Sequence, residues 1–86
     1  MKKLLYFTAA WCGPCRTFSP VFEEFKNTTT DVSAEKIDVD DNANLASKYN
    51  VKSIPTLVFL NNDEEFHRHV GGNLSVVKMQ SFFEGK

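Results

Sequence analysis

Two cysteines separated by Gly13-Pro14, where an apolar run meets a helical pattern, constrain this chain more than any other stretch. Trp11-Cys12-Gly13-Pro14-Cys15 holds its only two cysteines and its only tryptophan. Leu4 to Phe7 before it is strand-like, and Pro14 to Phe25 after it is helix-like. Thiols at this spacing close a disulfide or supply half of a metal site, and their placement decides between the two. Proline is favoured in the first helical turn, where its missing N–H costs no hydrogen bond. That sets Cys12 at or just before the helix start, facing unpaired N–H groups and the positive end of the helix dipole. Such a position stabilises a thiolate and draws the pKa below the ordinary ~8.5. Cys15, one turn on, lies on the same face within reach of Cys12. In the reduced protein Cys12 is therefore expected to be exposed and reactive, and Cys15 largely buried.

At 86 residues the chain is expected to form a single domain, residues 1–86, with a small core. Eight phenylalanines supply large pieces for that core. The formal charge is −1 and no basic cluster exceeds a pair such as Lys2-Lys3, which argues against a nucleic-acid partner. No apolar run approaches the length of a membrane span. Met1-Lys2-Lys3 followed by Leu-Leu-Tyr-Phe-Thr-Ala-Ala looks like the start of a secretory signal. The apolar part is short, however, and cleavage near Ala10 would remove the best candidate for a central strand. The stretch is read as that strand and the protein as cytoplasmic, which makes the sequons at Asn27 and Asn73 incidental. A structural staple between Cys12 and Cys15 is the weaker alternative, because so short a loop constrains the unfolded chain little.

Along the chain, Lys3 to Thr8 reads as a buried strand and Pro14 to about Lys26 as a helix. Phe18, Val21, Phe22 and Phe25 fall at i, i+3, i+4 and i+7 and form one apolar stripe, a core surface and not a cofactor box. Pro20 lies inside the pattern and predicts a kink without a break. A polar loop follows, Asn27 to Thr30, then a second strand within Val32 to Val39, parallel to the first because a helix joins them. Asp40-Asp41-Asn42 offers turn and N-cap chemistry for a short helix through Leu45, Ala46 and Tyr49. Thr56 to Leu60 is the most β-like run. Asn61-Asn62-Asp63 predicts a hairpin turn into an edge strand, about Glu65 to Val70. Gly71-Gly72 ends it, and Ser75 caps a last helix with Val76, Met79 and Phe83 inward. The order β-α-β-α-β-β-α predicts an α/β fold, a four-stranded mixed sheet flanked by three helices.

These residues spell out a family. The Trp-Cys-Gly-Pro-Cys run after a strand, the helix carrying Pro20, Ile54-Pro55-Thr56 and Val70-Gly71-Gly72 resemble thioredoxin along nearly the whole chain. The extra N-terminal strand and helix of ordinary thioredoxins have no counterpart, so the resemblance is to a minimal thioredoxin fold of glutaredoxin or short phage-type size. It implies that Cys12 is the attacking cysteine, Cys15 the resolving one, and Pro55 the family's cis-proline beside them. Ser53 and Ile54 would offer backbone groups to a substrate strand, with Trp11, Gly13, Pro14 and Gly71 on the surrounding substrate surface. One position departs from the family pattern. Thioredoxins usually carry a buried aspartate where this chain has Tyr6, while the lysine that usually pairs with it remains as Lys36. A phenol ionises near ~10 and is a poor base at neutral pH. Tyr6 and Lys36 thus stand as candidates for proton transfer or tuning.

The function so implied is a dithiol–disulfide oxidoreductase that reduces protein disulfides, monomeric and without organic cofactor or metal beyond its own redox-active Cys12–Cys15 disulfide. A thioredoxin reductase-type partner would regenerate it. Two alternatives stand beside it: a glutathione-coupled, glutaredoxin-like enzyme, and a docking subunit of a larger complex that uses the surface around Trp11, Pro55 and Gly71. His67 and His69 share one strand face but lack zinc-site spacing and are expected to be solvated. Asp38, Asp40 and Asp41 are assigned to turn and cap roles.

Overall fold

The computed structural model describes residues 1–85. The elements follow in the order β1 (Lys2–Thr8), α1 (Gly13–Thr28), β2 (Val32–Asp38), α2 (Ala43–Lys48), β3 (Thr56–Asn61), β4 (Glu64–Val70) and α3 (Val76–Phe83). They match the predicted order, with boundaries that move by one or two residues. The sheet runs β2-β1-β3-β4. β1 lies parallel to β2 and antiparallel to β3, and β3 pairs antiparallel with β4. A strand flanked by two others, with helices over both faces, must be apolar on both sides. Leu4 to Phe7 meets that demand and is buried throughout. The same stretch that looks like a signal core is therefore the centre of the sheet.

Asn62 and Asp63 turn the β3–β4 hairpin with φ of 53° and 67°. Two successive positive φ values give the turn whose twist matches that of antiparallel strands, and Asn and Asp tolerate them better than most residues. The pairing shifts register between Phe59 and Leu60, so Phe59 lies opposite His67 and Leu60 opposite Glu65.

α1 starts at its N-cap, Cys12, and continues through Pro20 to Thr28. It buries Cys15, Phe18, Phe22 and Phe25, while Val21 packs half-buried beside them. α3 is capped by Ser75, whose hydroxyl accepts the Lys78 N–H at 3.1 Å, and it buries Met79 and Phe83. Together α1 and α3 cover one face of the sheet, over Leu4, Tyr6, Leu57 and Phe59. The short α2 shields the other, over Leu5, Phe7, Ile37, Val58 and Leu60. Its N-cap, Asn42, makes no side-chain capping bond. The predicted cap chemistry of the 40–42 segment is spent elsewhere: Asp38 Oδ1 accepts the Asp40 N–H at 2.8 Å, and Asn42 Nδ2 donates to the Asp38 carbonyl at 3.0 Å.

The two histidines differ from expectation. Both are half-buried. The His67 ring lies 3.9 Å from that of Phe82, centroid to centroid, and His69 Nε2 bonds Asn73 Oδ1 at 3.0 Å. The hairpin register sets His67 across from Phe59 and under α3, so the edge strand is covered on that side. None of the described helices is long and apolar enough to cross a membrane.

Candidate active site

Three connections converge at one end of the sheet: the β1–α1 turn, the segment before β3, and the β4–α3 loop. The first carries the cysteines. The Cys12 N–H donates to the Ala9 carbonyl at 3.1 Å, which turns the chain from β1 into α1. Cys12 Sγ then accepts the Cys15 N–H at 3.2 Å, so this sulfur performs the capping that a serine or aspartate oxygen performs elsewhere. A sulfur held by a helix-terminal N–H gains when it carries negative charge. Cys12 and Cys15 form a disulfide, with Cα atoms 5.3 Å apart. In this oxidised state Cys12 is 4% exposed and Cys15 1% exposed. The contrast between an open Cys12 and a covered Cys15 expected of the reduced protein is not seen in this disulfide-bonded state.

The second connection brings Ser53, Ile54 and Pro55 up beside the cysteine turn. The Ile54–Pro55 peptide is cis. Pro55 is buried, Ile54 half-buried and Ser53 exposed. The Ser53 carbonyl accepts the Thr56 hydroxyl at 2.6 Å, and the Pro55 carbonyl accepts the Gly71 N–H at 2.9 Å. That last bond ties in the third connection. Gly71 has φ +112°, a backbone state that side chains other than glycine's rarely adopt. Gly72 is constrained differently: a Cβ there would lie 3.2 Å from Phe18 Cβ and 3.3 Å from the Pro14 carbonyl oxygen, with Pro55 Cγ at 3.6 Å. The β4–α3 loop thus rests directly on the first turn of α1. By contrast Gly13 faces open space, and Pro14 is exposed beside it.

Trp11 is 67% exposed. Its indole Nε1 donates to Asp40 Oδ2 at 2.9 Å. Sequence reasoning assigned Asp40 to the turn and missed this role. The signal would have been its place just past β2, the parallel neighbour of β1, at the same end of the sheet as Trp11. Beneath the indole a groove of about 410 Å³ runs between Val39, Ala46, Val51 and Ile54.

The two tuning candidates part company. Tyr6 is fully buried, and its hydroxyl lies 3.0 Å from the Cys15 carbonyl oxygen, to which it donates, and 3.1 Å from Ser19 Oγ. Ser19 Oγ itself donates to the same carbonyl at 2.9 Å. Tyr6 thereby ties the backbone of α1 to the central strand, and its hydroxyl makes no bond to either sulfur. Lys36, opposite Tyr6 in the parallel register, lines a cleft of about 360 Å³ together with Cys15 and Asp38.

Residues 1–84 match the sequence model of the family described as Thioredoxin. Thioredoxin O2, mitochondrial, of Arabidopsis thaliana is 41% identical over 86 residues, covering 98% of this chain and 53% of that protein. Thioredoxin-2 of Saccharomyces cerevisiae is 40% identical over 72 residues, 84% of this chain and 69% of its own length. Among solved structures, Fasciola hepatica thioredoxin superposes with a TM-score of 0.87 at 34% identity, covering 98% of this chain and 79% of its own. Oxidised thioredoxin O2 of Arabidopsis thaliana superposes with a TM-score of 0.80 at 40% identity, covering 99% and 74%. The chain spans about half the length of Thioredoxin O2 of Arabidopsis thaliana and of Thioredoxin H5 of Oryza sativa.

Proposed function

The chain belongs to the thioredoxin family, and on that premise we propose that it is a dithiol–disulfide oxidoreductase acting on protein disulfides through Cys12 and Cys15. The observation that carries the reading is the Cys12 sulfur acting as N-cap of α1, bonded by the Cys15 N–H and linked to the Cys15 sulfur. In the reduced protein the Cys12 thiolate attacks one sulfur of the substrate disulfide, and the other sulfur leaves as a thiolate. Cys15 then attacks Cys12 Sγ, closes the intramolecular disulfide and releases the second substrate sulfur. Two electrons pass to the substrate, and a thioredoxin reductase-type partner must return two to the protein.

The exposed indole of Trp11, the backbone of Ser53, Ile54 and Pro55, the Gly13-Pro14 start of α1, and Gly71 in the β4–α3 loop make the surface on which an extended substrate segment would lie. We further read the protein as a monomer working in a reducing compartment, the cytoplasm, where a reductase can keep the dithiol reduced.

Insulin-disulfide reduction tests the function, with thioredoxin reductase or glutathione as electron source. The wild type should turn over with the reductase, Cys15→Ser should accumulate a mixed disulfide through Cys12, and Cys12→Ser should be inert. Turnover by Cys12→Ser would sink the proposal.

A further inference from the structure

We propose that Asp38, acting through water in the cleft behind Cys15, accepts the proton that Cys15 gives up when it resolves the mixed disulfide. The inference rests on the function proposed above and adds to it the residue that receives the Cys15 proton.

The argument begins with register. Tyr6 and Thr8 point toward α1 from β1, and the parallel pairing sets Lys36 opposite Tyr6 and Asp38 opposite Thr8. Lys36 and Asp38 therefore project to the same side, at the sheet edge where α1 leaves room. The room is the cleft of about 360 Å³, whose wall includes Cys15, Arg16, Ser19, Lys36 and Asp38. Cys15 contributes to that wall and Cys12 does not. A water occupies roughly 30 Å³, so the cleft has room for several.

The choice among the lining groups is one of acceptor chemistry. Lys36 and Arg16 are cations with donors and no acceptor. Arg16 Nη2 also reaches the Ala10 carbonyl at 3.4 Å. The Tyr6 hydroxyl is taken up by the Cys15 carbonyl and Ser19. Asp40, the next carboxylate along the chain, is turned to Trp11. Asp38 is the one carboxylate on the cleft wall. Its Oδ1 accepts the Asp40 N–H at 2.8 Å, and its Oδ2 makes no hydrogen bond to any described residue, which leaves that oxygen for water.

In the step, the Cys15 S–H proton moves through a cleft water to the Asp38 carboxylate. The sulfur's electron pair forms the bond to Cys12 Sγ. The bond between Cys12 and the substrate sulfur breaks, and its pair leaves with the substrate as a thiolate. Asp38 then releases the proton to solvent, so atoms and charge balance without any further reactant.

Asp38→Asn is the test, because asparagine keeps the oxygen that accepts the Asp40 N–H and so preserves the turn. Reduced protein is mixed rapidly with insulin and quenched with acid, and the Cys12 mixed disulfide is followed by mass spectrometry. The measurement is repeated from neutral pH to above the ordinary thiol pKa of ~8.5. Formation of the mixed disulfide should be unchanged in the variant. Its decay near neutral pH should slow by about a hundredfold, the lower end of what a positioned general base contributes. The deficit should close at alkaline pH, where a thiol ionises unaided. Equal decay in wild type and variant at neutral pH would overturn the inference while leaving the parent function intact. A deficit of constant size at every pH would also overturn it, since that signals lost geometry and not a lost acceptor. A wild type that forms no Cys12 mixed disulfide at all would remove both readings.

Discussion

The two faces of the sheet are held in different ways. On one, α1 and α3 bury six side chains, Cys15, Phe18, Phe22, Phe25, Met79 and Phe83. Aromatic rings dominate the contacts, with Tyr6 and Phe22 centroids 4.9 Å apart and Phe59 and Phe83 5.4 Å apart. On the other, no residue of α2 is itself buried, and the strand side chains are covered by half-buried groups such as Leu45, Tyr49 and Val51. A polar strap supplements them: Arg68 on β4 donates to the Tyr49 and Asn50 carbonyls at the end of α2 and pairs with Glu65. A cation there also suits the negative end of the helix. The candidate site straddles the two constructions. The cysteines belong to the heavily packed face, whereas the Trp11–Asp40–Ile54 rim borders the lightly packed one. Regions with little buried apolar contact open at low free energy. The difference thus sets the cysteines on tightly packed ground beside a rim that has less buried apolar contact beneath it.

The strongest way to break this contrast is to remove a ring from the packed face. Phe59 is fully buried and meets Phe66, Phe82 and Phe83. Phe59→Ala should cost about 3–5 kcal/mol, a large part of the ~5–15 kcal/mol that a domain of this kind has available. Urea unfolding measures it. A loss of about 1 kcal/mol or less would show that the face collapses around the gap and that its packing is less exacting than the ring contacts imply.

A smaller effect should follow from cutting the strap. Arg68→Met keeps much of the apolar stem and deletes the bonds to Tyr49, Asn50 and Glu65. The expected destabilisation is about 1–2 kcal/mol, since exposed hydrogen bonds contribute modestly. Its signature should be regional: amide exchange should accelerate in α2 and stay unchanged in the middle of α1. Uniform acceleration in both helices would mean that the two faces open as one unit, and the contrast would fail.

The same contrast governs what the sequence reveals. The heavily packed face is legible because its signals are local: the Phe18/Phe22/Phe25 stripe, the short apolar runs of β1 and β3 and the Ser75 cap all depend on neighbours a few residues away. The cysteine turn is legible for the same reason, as proline, spacing and helix start lie within one turn. The rim and the cleft are not, because they are made by pairings between distant segments. Asp40 reads as a turn residue until β2 is laid beside β1 and the carboxylate meets the Trp11 indole. Gly71 and Gly72 read as equivalent until one shows a positive φ and the other a close approach to Phe18 and Pro14. Tyr6 reads as a possible replacement for a missing acid, whereas its hydroxyl bonds the Cys15 carbonyl. His67 reads as solvated until the register brings it beneath Phe82.

The smallest effect belongs to the outer end of the strap and sharpens the contrast by showing how little an exposed ion pair holds. The hydrogen bond from Arg68 lowers the Glu65 pKa below the ordinary 4.5, helped by the guanidinium charge and opposed by partial burial. The same hydrogen bond raises the Arg68 pKa above its ordinary value, so that partner stays charged throughout any working pH. A carboxylate whose pKa is lower in the folded than in the unfolded state binds protons less readily when folded. Its contribution is therefore present above the unfolded-state pKa and fades as pH falls through the folded-state value. Both side chains are about one-third exposed, at 29% and 33%, and pairs in contact with water contribute only about 0.2–1 kcal/mol. Glu65→Gln should lower the urea midpoint slightly at neutral pH. The gap to wild type should close once the solution is acid enough to protonate Glu65 in the folded protein, and it should narrow in high salt. A gap that persists unchanged into strong acid would assign the effect to lost packing and leave the Arg68 bonds to the α2 carbonyls as the whole of the strap.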